Sequence, residues 1–198
     1  MRATATGALF AVMLAGCVTQ QQKRQAIEAV NEEFQKRYEQ ILKKDGTRLF
    51  DIERGKALSA MATTLLRLDM QVETLDAGLG YLKFYAPAPK PLTGEEWRRA
   101  VDADLPLMRE IVRPYVGLAA EFIQFQPDAF ETVIAVTIVE RSVGTSAVSL
   151  TMRLREVKPA GPADFPRREY PPPTALSMGL AKIWSAFEAE LYSTSRRP

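Results

Sequence analysis

The chain of 198 residues contains no histidine and a single cysteine, Cys17. Without histidine, catalysis by Ser-His-Asp or Cys-His groups and zinc sites built on histidine are excluded. A lone cysteine forms neither an internal disulfide nor a cluster of thiolates. We therefore predict that the protein is not an enzyme and that it holds no metal and no cofactor.

The sequence also lacks a strong charge excess and a long hydrophobic run. Lys and Arg total 26 and Asp and Glu total 24, so the net charge is +2. Such a balance supplies no basic stripe for a phosphate backbone, and we expect no nucleic acid partner. The longest apolar stretches after the N-terminal region, 115–125 and 132–139, are well below the ~20 residues that span a bilayer as a helix.

The N-terminal region is organised as a secretory signal peptide. Arg2 supplies a positive start, residues 8–13 form a short apolar core, and small residues precede Cys17. The tetrapeptide Leu-Ala-Gly-Cys at 14–17 resembles the lipobox of bacterial lipoproteins. The resemblance implies cleavage between Gly16 and Cys17.

The lipobox also implies a membrane anchor. In lipoproteins the cysteine thiol receives a diacylglycerol and the new amine is often acylated, so Cys17 would carry two or three fatty acid chains. Two or three acyl chains bind a protein stably to a membrane, whereas a single acyl chain gives only marginal binding. The next residue is Val18 rather than Asp, which the enterobacterial sorting rule associates with the outer membrane. We expect a protein on the periplasmic face of that membrane, with the membrane and other envelope proteins as partners.

The rest of the chain predicts one α+β domain. We divide the sequence into a signal peptide (1–16), a lipidated cysteine with a polar tether (17–22), and a single domain (23–198) that begins with an amphipathic helix. The hydrophobic periodicity predicts helices at 23–44, 54–68, after Thr93 and after Thr174, and strands at 47–52, 70–75, 80–86, 132–139 and 147–157. This order predicts an antiparallel sheet of about four to five strands with helices packed mainly on one face.

Prolines and capping residues punctuate this domain. Alternate prolines at 86–91 predict an extended polyproline II connector. Thr93 and Glu96 form a capping box, while Pro106 is expected to kink or break the helix that follows. Thr174 is expected to cap the last helix.

Two further features carry competing interpretations. The segment 159–173 contains six of the thirteen prolines, together with Arg167 and Arg168. It is either a recognition segment or a stiff crossing between elements, and we favour the crossing. Arg153 and Arg155 lie on the wet face of the last strand, where they either meet an anionic partner or stay solvated, and we favour solvation.

Several segments resemble known envelope lipoproteins. Residues 50–82 look like a recurrent module of Gram-negative lipoproteins. The mature chain resembles a family of uncharacterised proteobacterial lipoproteins in the stretches 88–92 with Glu96-Trp97, and 170–175 with Trp184, Phe187 and Glu188. A more distant similarity is to helix-grip domains, such as the lipoprotein partners of the outer-membrane barrel-assembly machine. These resemblances imply a fold and a location, but no activity.

Three functions follow from these features. The leading hypothesis is a non-enzymatic envelope lipoprotein that binds or scaffolds other components. The second is a carrier of a small apolar ligand in a cavity between sheet and helix, lined by Trp184, Phe187, Leu150 or Met152. The third is a carboxylate-dependent glycan hydrolase, for which the candidate acids are Glu95, Glu96, Asp102 and Asp104.

Overall fold

The computed structural model describes residues 18–157 and 166–194 and has the predicted α+β architecture, so Cys17 lies outside the described residues. The helices are α1 (Gln20–Asp45), α2 (Arg54–Arg67), α3 (Gly94–Val116) and α4 (Pro173–Thr194). The strands are β1 (Thr47–Phe50), β2 (Gln71–Asp76), β3 (Tyr81–Pro87), β4 (Phe130–Ser142) and β5 (Thr145–Glu156). Two 3₁₀ helices, Gly117–Phe122 and Pro127–Ala129, lie between α3 and β4.

The five strands form one antiparallel sheet in the order β1-β5-β4-β3-β2. The predicted hairpin of β4 and β5 is confirmed, with its turn at 142–145. β4 occupies the centre of the sheet, as its nearly continuous apolar sequence predicted. Since β1 and β2 are the two edge strands, α2 connects opposite edges of the sheet.

One face of the sheet is buried and the other is open, as the two-residue periodicity predicted. Leu150 and Met152 of β5 point to the buried face, where α2 and α4 pack. Trp184 and Phe187 of α4 complete this main core, which confirms that the apolar face of the last helix lies on the sheet. The helices therefore pack mainly on one side.

A second core joins α1 and α3 to one end of the sheet. It is rich in aromatic rings: Phe125 stacks on Phe130 with 5.4 Å between ring centroids and lies 6.0 Å from the Trp97 ring. Phe34 brings α1 into the same cluster, 6.5 Å from Phe125. Burial of α1 along its length confirms that this helix lies on its own domain.

The predicted tether (17–22) is shorter than expected, because residues 20–22 already belong to α1. Thr19 is its N-cap: the Thr19 hydroxyl accepts from the Gln22 amide at 3.2 Å, and the Gln22 side chain accepts from the Thr19 amide at 2.8 Å. This reciprocal capping box satisfies two amides that would otherwise stay unpaired at the helix start. Only Val18 and Thr19 separate Cys17 from the folded domain.

The connector 86–91 is not extended either. Ala86 and Pro87 belong to β3, and two turns follow, closed by Lys90 N donating to Pro87 O at 3.3 Å and by Leu92 N donating to Pro89 O at 2.9 Å. Leu92 is fully buried in the second core. Burial of this side chain and the turn hydrogen bonds outweigh the extended preference of isolated prolines.

Two predictions about helix ends are corrected by the structure: Pro106 does not break α3, and Thr174 does not cap α4. α3 continues through Pro106 to Val116, because Met108 and Val112 pack into the core beyond the exposed proline. The last helix begins at Pro173, a position where the missing amide of proline has no helical partner to lose. Thr174 therefore lies inside the first turn and does not cap it.

Candidate functional site

An apolar groove lies between the first half of α1 and the second half of α3, at the end of the domain that contains Val18. We call it the anchor-end groove. Its volume is about 390 Å³. Residues three to four positions apart lie on the same face of a helix, so one face of each helix forms a wall of the groove. Its apolar lining includes Val18, Ala26, Ile27, Val30, Met108, Val112, Val116 and Ala119.

The first 3₁₀ helix closes one side of this groove. Ala120 is buried against Ala26 and Val112, and Glu121 pairs with the guanidinium groups of Arg109 and Arg113 on α3. These contacts attach the 3₁₀ helix to α3. Three packed elements, α1, α3 and this 3₁₀ helix, therefore line the anchor-end groove.

The same 3₁₀ helix presents two large apolar side chains to the outside. Leu118 is 88% exposed and Phe122 is 83% exposed. Ala119 lies between them and lines the anchor-end groove together with Val18. Val18, which follows Cys17 in the sequence, is therefore at the same end of the domain as the exposed apolar pair.

The open face of the sheet carries a paired charge network. Glu73 accepts from Lys83 at 3.1 Å and from Arg155 at 3.2 Å, and Arg155 also donates to Glu131 at 2.8 Å. Hydrogen bonding from Lys83 lowers the pKa of Glu73, and hydrogen bonding to Glu131 raises the pKa of Arg155. The charges of this face are therefore satisfied within the protein.

The two arginines of β5 are more engaged than the solvated side chains we predicted. Arg155 packs its guanidinium 5.4 Å from the Tyr85 ring centroid. Arg153 lies over the adjacent rings of Tyr38 and Tyr170, at 5.4 and 5.2 Å from their centroids, and pairs with Glu169 at 3.4 Å. Both side chains keep nearly half of their surface exposed, so they can still contact a partner.

The four residues predicted to line a carrier cavity pack within the main core. Trp184, Phe187, Leu150 and Met152 are all at most 1% exposed. Trp184 and Phe187 lie 6.3 Å apart, and Phe50 packs against both rings. These side chains pack together in the core, whereas the carrier hypothesis required a ligand cavity between them. The apolar hollow at the anchor end lies elsewhere and is lined by other residues.

The four candidate acids do not converge on one cleft. Glu95 and Asp102 are exposed. Glu96 bonds to Thr93 and Lys182, while Asp104 accepts from the amide and the hydroxyl of Thr174, both at 2.8 Å. Glu96 and Asp104 are eight residues apart on one helix, about 12 Å at 1.5 Å per residue. This exceeds the roughly 5–9.5 Å between paired glycosidase carboxylates, so these four acids do not form the predicted pair.

Within residues 18–157 and 166–194, no group of three or more Cys, Asp or Glu side chains is placed to hold a metal ion. None of the helices described in these ranges has the length and hydrophobicity to cross a bilayer. No protein-family model matches the sequence, and no curated protein matches it.

Sequence reasoning missed the two features that define the anchor end. The Thr19-x-x-Gln22 pattern is a capping-box signature and could have located the start of α1. Leu118 and Phe122 gave no comparable signal, because an apolar residue in a non-periodic segment is as easily buried as exposed. Their exposure depends on how the 3₁₀ helix packs on α3.

Proposed function

We propose that the protein is a lipid-anchored, non-enzymatic component of the bacterial envelope that binds or scaffolds other envelope proteins. One observation carries this proposal: the lipobox cysteine precedes a capped helix of the folded domain by only three residues. A lipid on Cys17 would hold the anchor end directly against the membrane surface.

The exposed apolar pair supports this orientation. Leu118 and Phe122 lie at the end of the domain that a lipid on Cys17 would bring to the bilayer, where apolar side chains can enter the interfacial region. Val18 after the cysteine favours the outer membrane. The domain would then project from that membrane into the periplasm.

The open sheet face is the surface on which we expect a protein partner. It is broad, it has no helix over it among the described residues, and its charges are already paired. A surface whose charges are already paired does not attract highly charged polymers. Half-exposed arginines and tyrosines, in contrast, are favoured at protein interfaces. The helical side of the sheet is occupied by the domain's own core.

The anchor is tested first. The native chain and a Cys17→Ala variant are expressed with the complete leader, membranes are separated by density, and the N-terminal peptide is weighed by mass spectrometry. We expect the native peptide to begin at Cys17, to carry fatty acids and to sediment with the outer membrane. An unmodified native Cys17 would refute the lipoprotein proposal.

The binding role is tested by crosslinking in cells. A photoactivatable residue at Thr137, exposed on the open face of β4, is compared with one at Ser185, exposed on α4. We expect one defined envelope protein to be captured from Thr137, and much less from Ser185 or when Cys17→Ala removes the anchor. Equal capture from both positions would argue against the open face as the binding surface.

A further inference from the structure

We infer that the anchor-end groove binds one of the acyl chains attached to Cys17, while the remaining chain or chains enter the bilayer. This inference rests on the proposed lipidation and goes beyond it, because it assigns a ligand to a groove whose lining was not predicted. The groove lies between α1 and α3, and its lining includes both Val18 and Val30. Apart from Lys23, Gln124 and Arg168 its lining residues are apolar, which suits a methylene chain.

The size and chemistry of the groove fit this ligand. A volume of about 390 Å³ lies within the range of small-molecule pockets, about 300–1,000 Å³. Ile27, Val112 and Val116 supply branched aliphatic walls, and Lys23 is among the polar residues of the lining. An ammonium group suits the ester and amide carbonyl oxygens that lie at the head of the lipid.

The covalent attachment decides between this occupant and a free lipid. In the sequence Cys17 directly precedes Val18, which lines the groove. The capping box between Thr19 and Gln22 holds the residue after Val18 at the start of α1. A ligand tethered this closely is present at a millimolar or higher effective concentration and outcompetes the same chain supplied from solution. Loss of one chain to the groove still leaves an anchor when Cys17 carries three, because two chains suffice for stable membrane attachment.

The consequence is a fixed orientation. A chain that lies between α1 and α3 would join the lipid to the folded domain along its length, so the domain could not swivel about Val18 and Thr19. Leu118 and Phe122 would then stay at the membrane surface. The groove thus acts as a positioning site for the anchor.

The test uses the native lipoprotein in its own membrane. Cells are fed a fatty acid that carries a diazirine on the acyl chain, irradiated, and the purified protein is digested. We expect the Cys17 lipopeptide to be crosslinked to peptides from α1, α3 and the first 3₁₀ helix. Crosslinks from the groove to free phospholipid, or to another protein, would overturn the inference.

A pair of variants localises the site. Ala119→Trp places a large ring in the groove, whereas Ala103→Trp places the same ring on the exposed side of α3. We expect Ala119→Trp to reduce the groove crosslinks by roughly tenfold, because excluding about two methylenes shifts the partition by that factor. Ala103→Trp should leave them unchanged, and an equal loss in both variants would overturn the assignment.

The same digest distinguishes a failure of the proposed lipid anchor from a failure of the groove assignment. If Cys17 carries no fatty acid, the proposed anchor itself fails. If Cys17 is acylated but its chains react only with bilayer lipid, the anchor stands and the groove assignment fails. Since the primary result comes from the unaltered chain, it does not depend on how the variants fold.

Discussion

Arg168 shows how a single side chain attaches the last loop to the domain. Its guanidinium donates to Glu156 at 2.6 Å and lies 4.4 Å above the centroid of the Phe130 ring. The Glu156 side chain is only 4% exposed. A carboxylate buried this deeply is stable only while its partner remains, since an unpaired buried charge is strongly destabilising. The neighbouring Arg167 is exposed.

We therefore expect Arg168→Ala to lower the free energy of unfolding by about 3 kcal/mol, through the stranded Glu156 carboxylate. Urea denaturation of the purified protein measures this change. Arg167→Ala is the control and should stay within about 0.5 kcal/mol of the native value, as exposed substitutions do. Equal effects of the two substitutions would contradict the role of the Glu156 pair.

At the scale of elements, Asp104 of α3 supplies the cap that α4 lacks in its own sequence. Its carboxylate accepts from the Thr174 amide and hydroxyl, and it is largely buried. A hydrogen bond to a charged group contributes about 1.5–3 kcal/mol. This contact joins two helices whose residues are 70 positions apart in the chain.

Asp104→Ala should destabilise the protein by about 1–3 kcal/mol, because it leaves a partly buried amide and a hydroxyl of Thr174 without this acceptor. We expect the loss to appear in thermal and urea unfolding. Hydrogen exchange should also accelerate in the first turn of α4. Asp102→Ala, which removes an exposed carboxylate from the same helix, should change little; a comparable loss there would indicate a general effect of charge on α3.

The second contact between α3 and α4 is sensitive to pH. Lys182 donates to Glu96 at 2.6 Å, and this hydrogen bond, helped by the Thr93 amide, lowers the pKa of Glu96 below its ordinary value of 4.5. A carboxyl whose pKa is lower in the folded state stabilises that state fully above its unfolded pKa. The contribution is lost as the pH falls through the lower folded pKa.

Glu96→Gln isolates this charge, since glutamine preserves the capping box. We expect the variant to be less stable than the native protein by about 0.5–1 kcal/mol at pH 7, a modest value because both partners are partly exposed. The difference should shrink as the pH falls below 4.5. Urea unfolding at pH 7, 5 and 3 checks this, with the exposed Glu95→Gln as control. A difference independent of pH would exclude the charge as its source.

At the scale of the whole molecule, the fold separates two ends. The start of β4 packs on Phe125 of the anchor-end groove, and the strand then extends for thirteen residues to Ser142. At about 3.3 Å per residue this is roughly 40 Å. The hairpin tip at Val143, which is 99% exposed, is therefore remote from the anchor end.

This geometry predicts different membrane depths for two exposed residues. Because Cys17 would be blocked by lipid, Phe122→Cys and Val143→Cys each provide one reactive thiol for a fluorescent label. In vesicles, a bilayer-embedded quencher should reduce the label at 122 severalfold and leave the label at 143 nearly unchanged. Equal quenching at both sites would refute the proposed orientation.

The sequence by itself determined most of the secondary structure and the alternating burial of the strands. The alternation in β5, the turn at 142–145 and the capping box at Thr93 are local signals, set by the two-residue period of strands and by unpaired amides at helix starts. They sufficed to predict a sheet of about four to five strands, an open face and the apolar stripe of α4. The lipobox is equally local, and its lipidation remains a prediction.

Only the tertiary structure decided where the elements meet and what their junctions contain. The Asp104 cap, the bond of Arg168 to Glu156 and the burial of Leu92 join residues that are distant in the chain or override local preferences. The anchor-end groove is likewise absent from any single segment, because it is the space left between α1, α3 and the 3₁₀ helix. Local propensity fixes each element, whereas the space between elements depends on their packing.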